Sequence, residues 1–407
     1  LTWAEAASGA PLYAANESSP GAQPSATGGN AVAIGDSAVA GGVDAFSFGV
    51  GASASGAYGI AIGRGTTASG DDSIALVGFS TASGTDAMAF GDTAVASGNY
   101  SISFGGDTDA TAYASVAIGK DAQSVGSRST AIGRAYASGA DSFAAAIADV
   151  TTSYGATGAN SIAMGYQSKA TGNYTVAIGS AQATGSDYSV SIGYRARSAN
   201  HSTVAIGREA GLSGLGSESV AIGMSAYASG SSALALGRSV AATGSNSVAI
   251  GNYASTGGII GKYAFANDYI SNGGDAQQGT YVLHVSTTDA TAIALTSTGT
   301  TASATNQVNL QNNSSYAFHG TIVARQKASE GTASAAWKVE GLIRREGSAG
   351  TTVLVNSATT VLDNTPAWGM ALTADTTNGC LKVEVTGAAS TNIRWVATIT
   401  TSEVTYA

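Results

Sequence analysis

The residues that could do chemistry are few in this sequence, and they lie far apart. The histidines are His201, His284 and His319, and they fall on different predicted elements, so they form no recognisable metal or acid–base group. The pair Asp71–Asp72 falls in a predicted loop, where a solvated turn is expected rather than a cation site. The one cysteine, Cys380, allows no intrachain disulfide and is expected to be a small buried hydrophobe at the start of a strand. We therefore expect no catalytic residue, metal or cofactor.

Sequence motifs of common enzyme classes do not fit either. No Gly-x-Ser-x-Gly sequence stands at a strand-to-helix turn. The glycine-rich stretch Gly49–Gly56 is not followed by the Gly-Lys-Ser/Thr of a phosphate-binding loop. A pair of acidic residues for glycoside hydrolysis stays a possibility, because its two members could come from different strands or different subunits. The prediction is a protein that is not an enzyme, with a polysaccharide depolymerase as the lesser alternative.

Composition favours an extracellular structural protein. Glycine accounts for 55 of the 407 residues, charged residues for only 11%, and the net charge is −9. The 17 lysine and arginine residues are spread over both halves, so there is no basic stripe for nucleic acid. No run of about eighteen apolar residues is present to span a membrane. We expect neither nucleic-acid binding nor membrane insertion.

A repeat of about fourteen residues forms more than half of the chain and must provide the scaffold for any binding residues. An apolar box recurs between Ala31 and Gly251, as in Ser115–Gly119 (SVAIG), and a second box, as in Ala94–Gly98 (AVASG), lies between its copies. Such a period predicts a solenoid. The glycine that closes each apolar box keeps the period in most steps, but it slips to Gly78 before resuming at Gly91, and it is lost near Ile147 before returning at Gly165.

Alternation within the boxes predicts two short strands per coil of a parallel β-roll. Val116 and Ile118 point one way, and Ala117 points the other. We expect valine and isoleucine to fill the coil and the alanine rows to face sister chains, which makes a homotrimer the simplest closed assembly. Those alanines are Ala33, Ala117, Ala131, Ala177, Ala205, Ala221 and Ala249.

These boxes resemble the head repeats of trimeric autotransporter adhesins. The resemblance implies a left-handed parallel β-roll and a trimeric, surface-binding protein. It covers about 220 residues, from the boxes near Ala31 to Gly251. After Gly251 the glycine- and valine-rich neck of that family does not follow, and the last ten residues do not resemble its membrane anchor.

The chain divides into four parts by composition. Residues 1–29 hold three of the four prolines and are expected to form an extended arm towards whatever anchors a fibre; residues 30–256 form the β-roll; residues 257–276 cap its open end. Residues 277–407 contain about eight alternating segments separated by turns, which predicts an antiparallel β-sandwich. Its tryptophans are expected in the core. Lys338 and Glu340 are expected on the solvated face of a strand whose other face carries Trp337.

The C-terminal part resembles a domain found at the end of phage and prophage tail-fibre and other virion proteins. The resemblance covers about 140 residues and implies a virion protein. The stretches that carry it are Gly261–Phe265 (GKYAF), Gly320–Arg325 (GTIVAR), Ala335–Arg345 (AAWKVEGLIRR), Ala374–Gly379 (ADTTNG) and Asn392–Val404 (NIRWVATITTSEV).

Together these features predict an all-β, homotrimeric fibre of a phage-like particle, located on the virion. Its partners would be other virion proteins at the N-terminal end and a host-surface glycan or protein at the other. The expected contact loops contain Glu346, Gly347, Ser348, Asp363 and Asn364, because loops on a rigid β scaffold usually carry binding. Three alternatives stay open: a fragment of a bacterial trimeric autotransporter adhesin, a tail-spike depolymerase, and a C-terminal domain that only caps and trimerises the fibre.

Overall fold

The computed structural model describes residues 22–147, 153–185, 187–364 and 366–406. Within these residues the chain is built of β-strands and turns, with one 3-10 turn at Ala349–Thr351 and no α-helix, so the predicted all-β class is confirmed. Contacts divide the chain into two compact units that meet in sequence at Tyr194 and Arg195. Most of the predicted N-terminal arm lies outside the described residues.

The first unit is a parallel β-solenoid with two ladders. Two-residue strands stack in one ladder and three-residue strands in the other, each paired in parallel with the strand one coil away. The strands are β1 (Ser25–Ala26), β2 (Val32–Ile34), β3 (Val39–Ala40), β4 (Phe46–Phe48), β5 (Ser53–Ala54), β6 (Ile60–Ile62), β7 (Thr67–Ala68), β8 (Ile74–Leu76), β9 (Thr81–Ala82), β10 (Met88–Phe90), β11 (Val95–Ala96), β12 (Ile102–Phe104), β13 (Asp109–Ala110), β14 (Val116–Ile118), β15 (Gln123–Ser124), β16 (Thr130–Ile132), β17 (Tyr136–Ala137), β18 (Phe143–Ala145), β19 (Gly155–Ala156), β20 (Ile162–Met164), β21 (Lys169–Ala170), β22 (Val176–Ile178), β23 (Gln182–Ala183) and β24 (Val190–Ile192).

The predicted slip of the repeat at Gly78 is wrong. Leu76 pairs with Ile62 on one side and with Phe90 on the other, so the fourteen-residue step continues unbroken. Val77, at φ 76°, occupies the place that glycine fills in the neighbouring coils. Those coils use glycine because the position has a positive φ and its Cα faces the backbone of the next coil: at Gly91 an added Cβ would overlap the carbonyl of Gly105.

The predicted assignment of the two strand faces is also wrong. Ala117 is fully buried inside its own coil, whereas Ile118 leaves 39% of its surface exposed and Val116 is half-buried. The same holds for all seven of the alanines named above. The reason is the narrow space inside the coil: the residues buried between its two short strands are mostly alanine, serine and threonine, with a larger side chain such as Val240 at few positions. The Ser47 hydroxyl, for example, donates to the carbonyl of Ala52 at 2.9 Å.

The narrow interior predicts that Ala117→Leu destabilises the solenoid. Three extra carbons have no space in the coil, and overpacking of this kind costs about 1–3 kcal/mol of unfolding free energy. Gln123→Leu is the matched control, since Gln123 points outward from the next strand, β15, of the same coil. Urea unfolding followed by circular dichroism should show a loss only for the first variant. Equal stability of both variants would mean that the coil interior is wider than described.

The second unit begins with further coils of a parallel solenoid and continues into the C-terminal domain. Its strands β26 to β30 pair in parallel, and isolated bridges join Tyr227 to Ala241 and Ala241 to Ser255 on the other side. The strands are β25 (Arg197–Ser198), β26 (Val204–Ile206), β27 (Val220–Ile222), β28 (Leu234–Arg238), β29 (Val248–Asn252), β30 (Tyr263–Ala266), β31 (Ala276–Thr287), β32 (Ala292–Ala294), β33 (Val308–Asn309), β34 (Ser314–Gln326), β35 (Ser334–Arg345), β36 (Val353–Asp363), β37 (Gly369–Asp375), β38 (Cys380–Thr386) and β39 (Ile393–Thr405).

The predicted domain boundaries stay predictions, but two ladders run past them. Ser25–Ala26 already pairs with Val39–Ala40, and Tyr263–Ala266 adds a further strand to the solenoid beside Val248–Gly251. The same strand, β30, pairs antiparallel with the start of β31. The last coil therefore passes directly into the C-terminal sheet.

The C-terminal domain consists of two antiparallel sheets, as the alternating segments predicted. The larger has the order β31-β39-β34-β35-β36, and in the smaller β38 pairs with β37, β32 and β33. The core contains Trp337, Trp368 and Trp395, with the rings of Trp337 and Trp395 stacked at 5.9 Å. The predictions for the tryptophans and for the alternation of Lys338 and Glu340 are confirmed.

A buried ion pair joins the last coil to this domain. The Lys262 ammonium lies 2.7 Å from the Glu403 carboxylate, and both side chains are almost fully buried. Gln277, Tyr281 and Thr401 also donate to the Glu403 carboxylate, at 2.7, 2.9 and 2.7 Å. Burial, with the Glu403 charge beside it, raises the pKa of Tyr281 well above its usual value, so the phenol stays a donor.

This network constrains the backbone on both sides. The Gln277 amide also donates to the carbonyl of Ser255 in the last coils, and its oxygen accepts from the Ser255 N–H, both at 2.9 Å. A side chain at Gly279 would overlap the Glu403 carboxylate, so only glycine fits there. The network therefore replaces an exposed solenoid end by a specific junction.

We expect Glu403→Gln to destabilise the second unit strongly. The substitution leaves the Lys262 ammonium buried without a counter-charge, a change that typically costs about 3–5 kcal/mol. Glu340→Gln is the control, because it removes an acid from the solvent-exposed pair with Lys338 and should have little effect. Tryptophan fluorescence during urea unfolding reports on the domain. A wild-type midpoint for the Glu403 variant would contradict the role given to the pair.

Candidate functional site

The histidines and the cysteine, which were the candidates for chemistry in the sequence, lie far apart in the structure. His284 and His319 lie exposed on β31 and β34 and face Val396 and Thr400, not each other. His201 lies in a turn of the solenoid beside the Ser202 hydroxyl. Cys380 is buried, as predicted, and burial raises the pKa of its thiol to about 12, so it is a poor nucleophile at neutral pH. No group of three histidine, cysteine or acidic side chains suited to a metal occurs in the residues described.

Two columns of exposed apolar side chains are the most extended surface feature. They come from the first and third residues of the three-residue strands, whose middle residues point into the coil. Within the first unit the exposed members are Phe48, Ile62, Met88, Phe90, Ile102, Phe104, Ile118, Ile132, Ile162, Met164 and Ile178. Phe90 and Phe104 stack on each other at 4.8 Å. Extended apolar patches of this kind are typical of interaction surfaces.

The other ladder presents a mostly polar outer face, in which Val39, Val95 and Tyr136 are the larger apolar or aromatic members. Its outward positions alternate with buried alanine or serine and include Thr81, Asp109, Gln123 and Lys169. Beside it, burial and the neighbouring charge of Asp107 raise the pKa of Asp109. The two outer faces of a coil therefore differ: one carries mainly large apolar side chains, and the other mainly polar ones.

The loops predicted to contact a receptor lie at opposite ends of the larger C-terminal sheet. Glu346, Gly347 and Ser348 follow β35 at the end where Thr405 bonds to Asp275, next to the last coil. Asp363 and Asn364 follow β36 at the other end. The five residues do not form one surface, because β35 and β36 are antiparallel neighbours and each ends where the other begins.

The end that lies away from the last coil is formed by what we call the distal loops, residues 288–291, 327–333 and 387–392. Glu330 organises them. Its carboxylate accepts the backbone N–H of Asn392 at 2.9 Å and the side-chain amide of the same residue, which lowers its pKa. The N–H of Lys327 donates to the Asn392 carbonyl at 2.8 Å. These bonds hold two of the loops together as one surface.

A cavity of about 510 Å³ opens beside the distal loops. Its lining combines the strand ends of β31, β34 and β39 with residues of the two bonded loops. Three cationic side chains, Arg325, Lys327 and Arg394, lie around it. The remaining lining residues are Ser286, Thr287, Gln326, Ala328, Asn392 and Ile393.

The sequence pattern does not reveal this cationic cavity. Arg325 and Arg394 stand in strand segments whose alternation was readable, since each is two residues from an outward valine, Val323 or Val396. Alternation predicts that each arginine points outward, but not that the two strands are neighbours. The pairing of residues about seventy positions apart comes from the sheet order alone.

Comparison with known families identifies the repeat. Seven segments of the chain match the family described as the YadA head domain repeat: residues 26–52, 54–76, 82–108, 110–134, 156–181, 185–210 and 215–239. The solenoid thus carries repeats of the YadA head type, as its boxes predicted. The matched segments end before the C-terminal domain. No curated protein matches the chain. In the described residues no helix is long and apolar enough to cross a membrane.

Proposed function

We propose that this protein is an extracellular adhesive fibre, and that three copies associate through the apolar columns. The observation that supports this most directly is the row of large aliphatic and aromatic side chains left outside a coil that alanine already fills. Each side chain of this size contributes about 1.5–3 kcal/mol when it is fully buried. A column repeated at every coil gives an assembly its main stabilising interaction.

Each chain offers one mainly apolar face, which suits a closed assembly around one axis. Copies related by a rotation axis parallel to the solenoid bring these faces together around the axis and turn the polar faces outward. A ring of this kind closes on itself, so no apolar face remains for further growth. The match to YadA head repeats, which belong to trimeric adhesins, supports an assembly of three chains.

The trimer predicts that Ile118→Glu disrupts assembly. A carboxylate on the axis-facing side would lie close to its two copies without a partner, which is costly in an apolar environment. Gln123→Glu adds the same charge to the polar face of that coil and should leave three chains together. Sedimentation at micromolar concentration distinguishes the two. A stable folded monomer of the unmodified chain would contradict the proposal.

We infer further that the fibre belongs to a phage-like particle and that its C-terminal domain recognises the host surface. The support is the resemblance of stretches such as Asn392–Val404 to terminal domains of tail-fibre and virion proteins. Recognition is non-enzymatic in this account. A bacterial trimeric autotransporter adhesin fits the repeat match about as well, so the particle has to be tested directly.

Immuno-electron microscopy with antibodies against the purified chain separates these two assignments. The virion proposal expects label on projections of particles in a culture that produces the protein. Label on the cell envelope, with bare particles, would instead support the autotransporter adhesin. Antibodies depleted on the purified chain serve as the control for unspecific label.

A further inference from the structure

The cavity beside the distal loops contains an unusual arrangement of like charges. Arg325 on β34 stands directly opposite Arg394 on β39, and both side chains are exposed on the same face of the sheet. Directly opposed like charges destabilise a strand pair. The outer neighbours in the same row are Ser286 and Ser334, so no acidic side chain separates or flanks the two guanidinium groups.

Nearby groups do not neutralise this pair. Among the residues that the structure describes, neither arginine makes an ion pair, and the Arg325 guanidinium donates a hydrogen bond only to the carbonyl of Thr332. Glu330 is the acid that holds the loops, and its carboxylate is already occupied by Asn392 and lies 3.7 Å from the Lys327 ammonium. Three cations therefore face one acid, in a chain whose net charge is −9.

From this geometry we infer that the cavity binds an anionic carbohydrate, through a carboxylate, sulfate or phosphate group held between Arg325 and Arg394. A guanidinium group offers paired N–H donors that match the two oxygens of such a group. The anion would remove the repulsion between the arginines. The inference rests on the proposed function only in taking this carbohydrate as the host-surface ligand.

The rest of the lining suits a sugar rather than a bare ion. Ser286, Gln326 and Asn392 provide donors and acceptors for hydroxyl groups, and Ala328 offers a small apolar contact. Thr287 is held in place because its hydroxyl accepts the indole N–H of Trp395 at 3.0 Å. A cavity of about 510 Å³ lies within the usual size range for a bound small ligand.

The position of the cavity in the C-terminal domain is compatible with binding of a host-surface ligand. β31 pairs with the last coil only at its first residues, and the strand then runs away from that coil to Thr287, which lines the cavity. Arg394 is the second residue of β39, which returns from the same end. The cavity therefore lies at the end of the domain that the junction with the solenoid leaves open.

Calorimetric titration of the full chain tests the inference with four oligosaccharide probes of similar length: one uronic-acid, one sulfated, one phosphorylated and one neutral. We expect at least one anionic probe to bind and the neutral probe not to bind. Comparison of the three anionic probes shows which anionic group is recognised. Arg394→Gln should weaken that binding about tenfold or more, since hydrogen bonds to charged groups are among the stronger ones. Arg344→Gln removes an exposed arginine from the other end of the sheet and should leave the affinity unchanged.

A second readout needs no ligand. Arg394→Gln relieves the repulsion with Arg325, so the free protein should melt at a higher temperature than the wild type, whereas Arg344→Gln should not. Equal binding of neutral and anionic probes, or equal loss with both variants, would overturn the inference. A trimer that is found on particles but binds none of the four probes would refute this site and leave the proposed function standing. A monomer that binds an anionic probe would refute the proposed trimeric fibre and leave this site standing.

Discussion

The narrow interior of the coil is the constraint from which the rest of the molecule follows. Two short strands face each other closely enough that alanine or serine fills the space between them, as Ala117 and Ser124 do. At the three-residue strands the larger apolar side chains therefore lie on the outside, where Ile118 and its equivalents form columns. Because these columns need cover, the fold of one chain and its association with others depend on the same side chains.

The sequence predicts the period and the strands of the solenoid but not which face is inside. Alternation of Val116, Ala117 and Ile118 is symmetric between the two faces, so it shows that the faces differ and leaves the interior undecided. Coil width decides it, and width is a property of the stacked backbone. The error at Gly78 has a related cause, because Val77 adopts a positive φ that a reading based on glycines does not expect.

In the C-terminal domain, local patterns predict what each strand buries, whereas sheet order decides which residues meet. The alternation around Trp337 and Lys338 is readable from the sequence. The pair Lys262–Glu403 joins residues 141 positions apart, and the opposition of Arg325 and Arg394 depends on β34 lying beside β39. One end of the domain is thus committed to the solenoid by a buried network, and the other end carries the cationic cavity.

The most direct test of the account is carbene footprinting of the unmodified protein in solution, read out by mass spectrometry. If three chains bury the apolar columns, the outward side chains Val116 and Ile118 are labelled far less than their exposure in a single chain implies, while Gln123 in the neighbouring strand is labelled in proportion to its exposure. Labelling of Ile118 in proportion to its 39% exposure would show that the apolar columns face water, and would contradict their burial between chains.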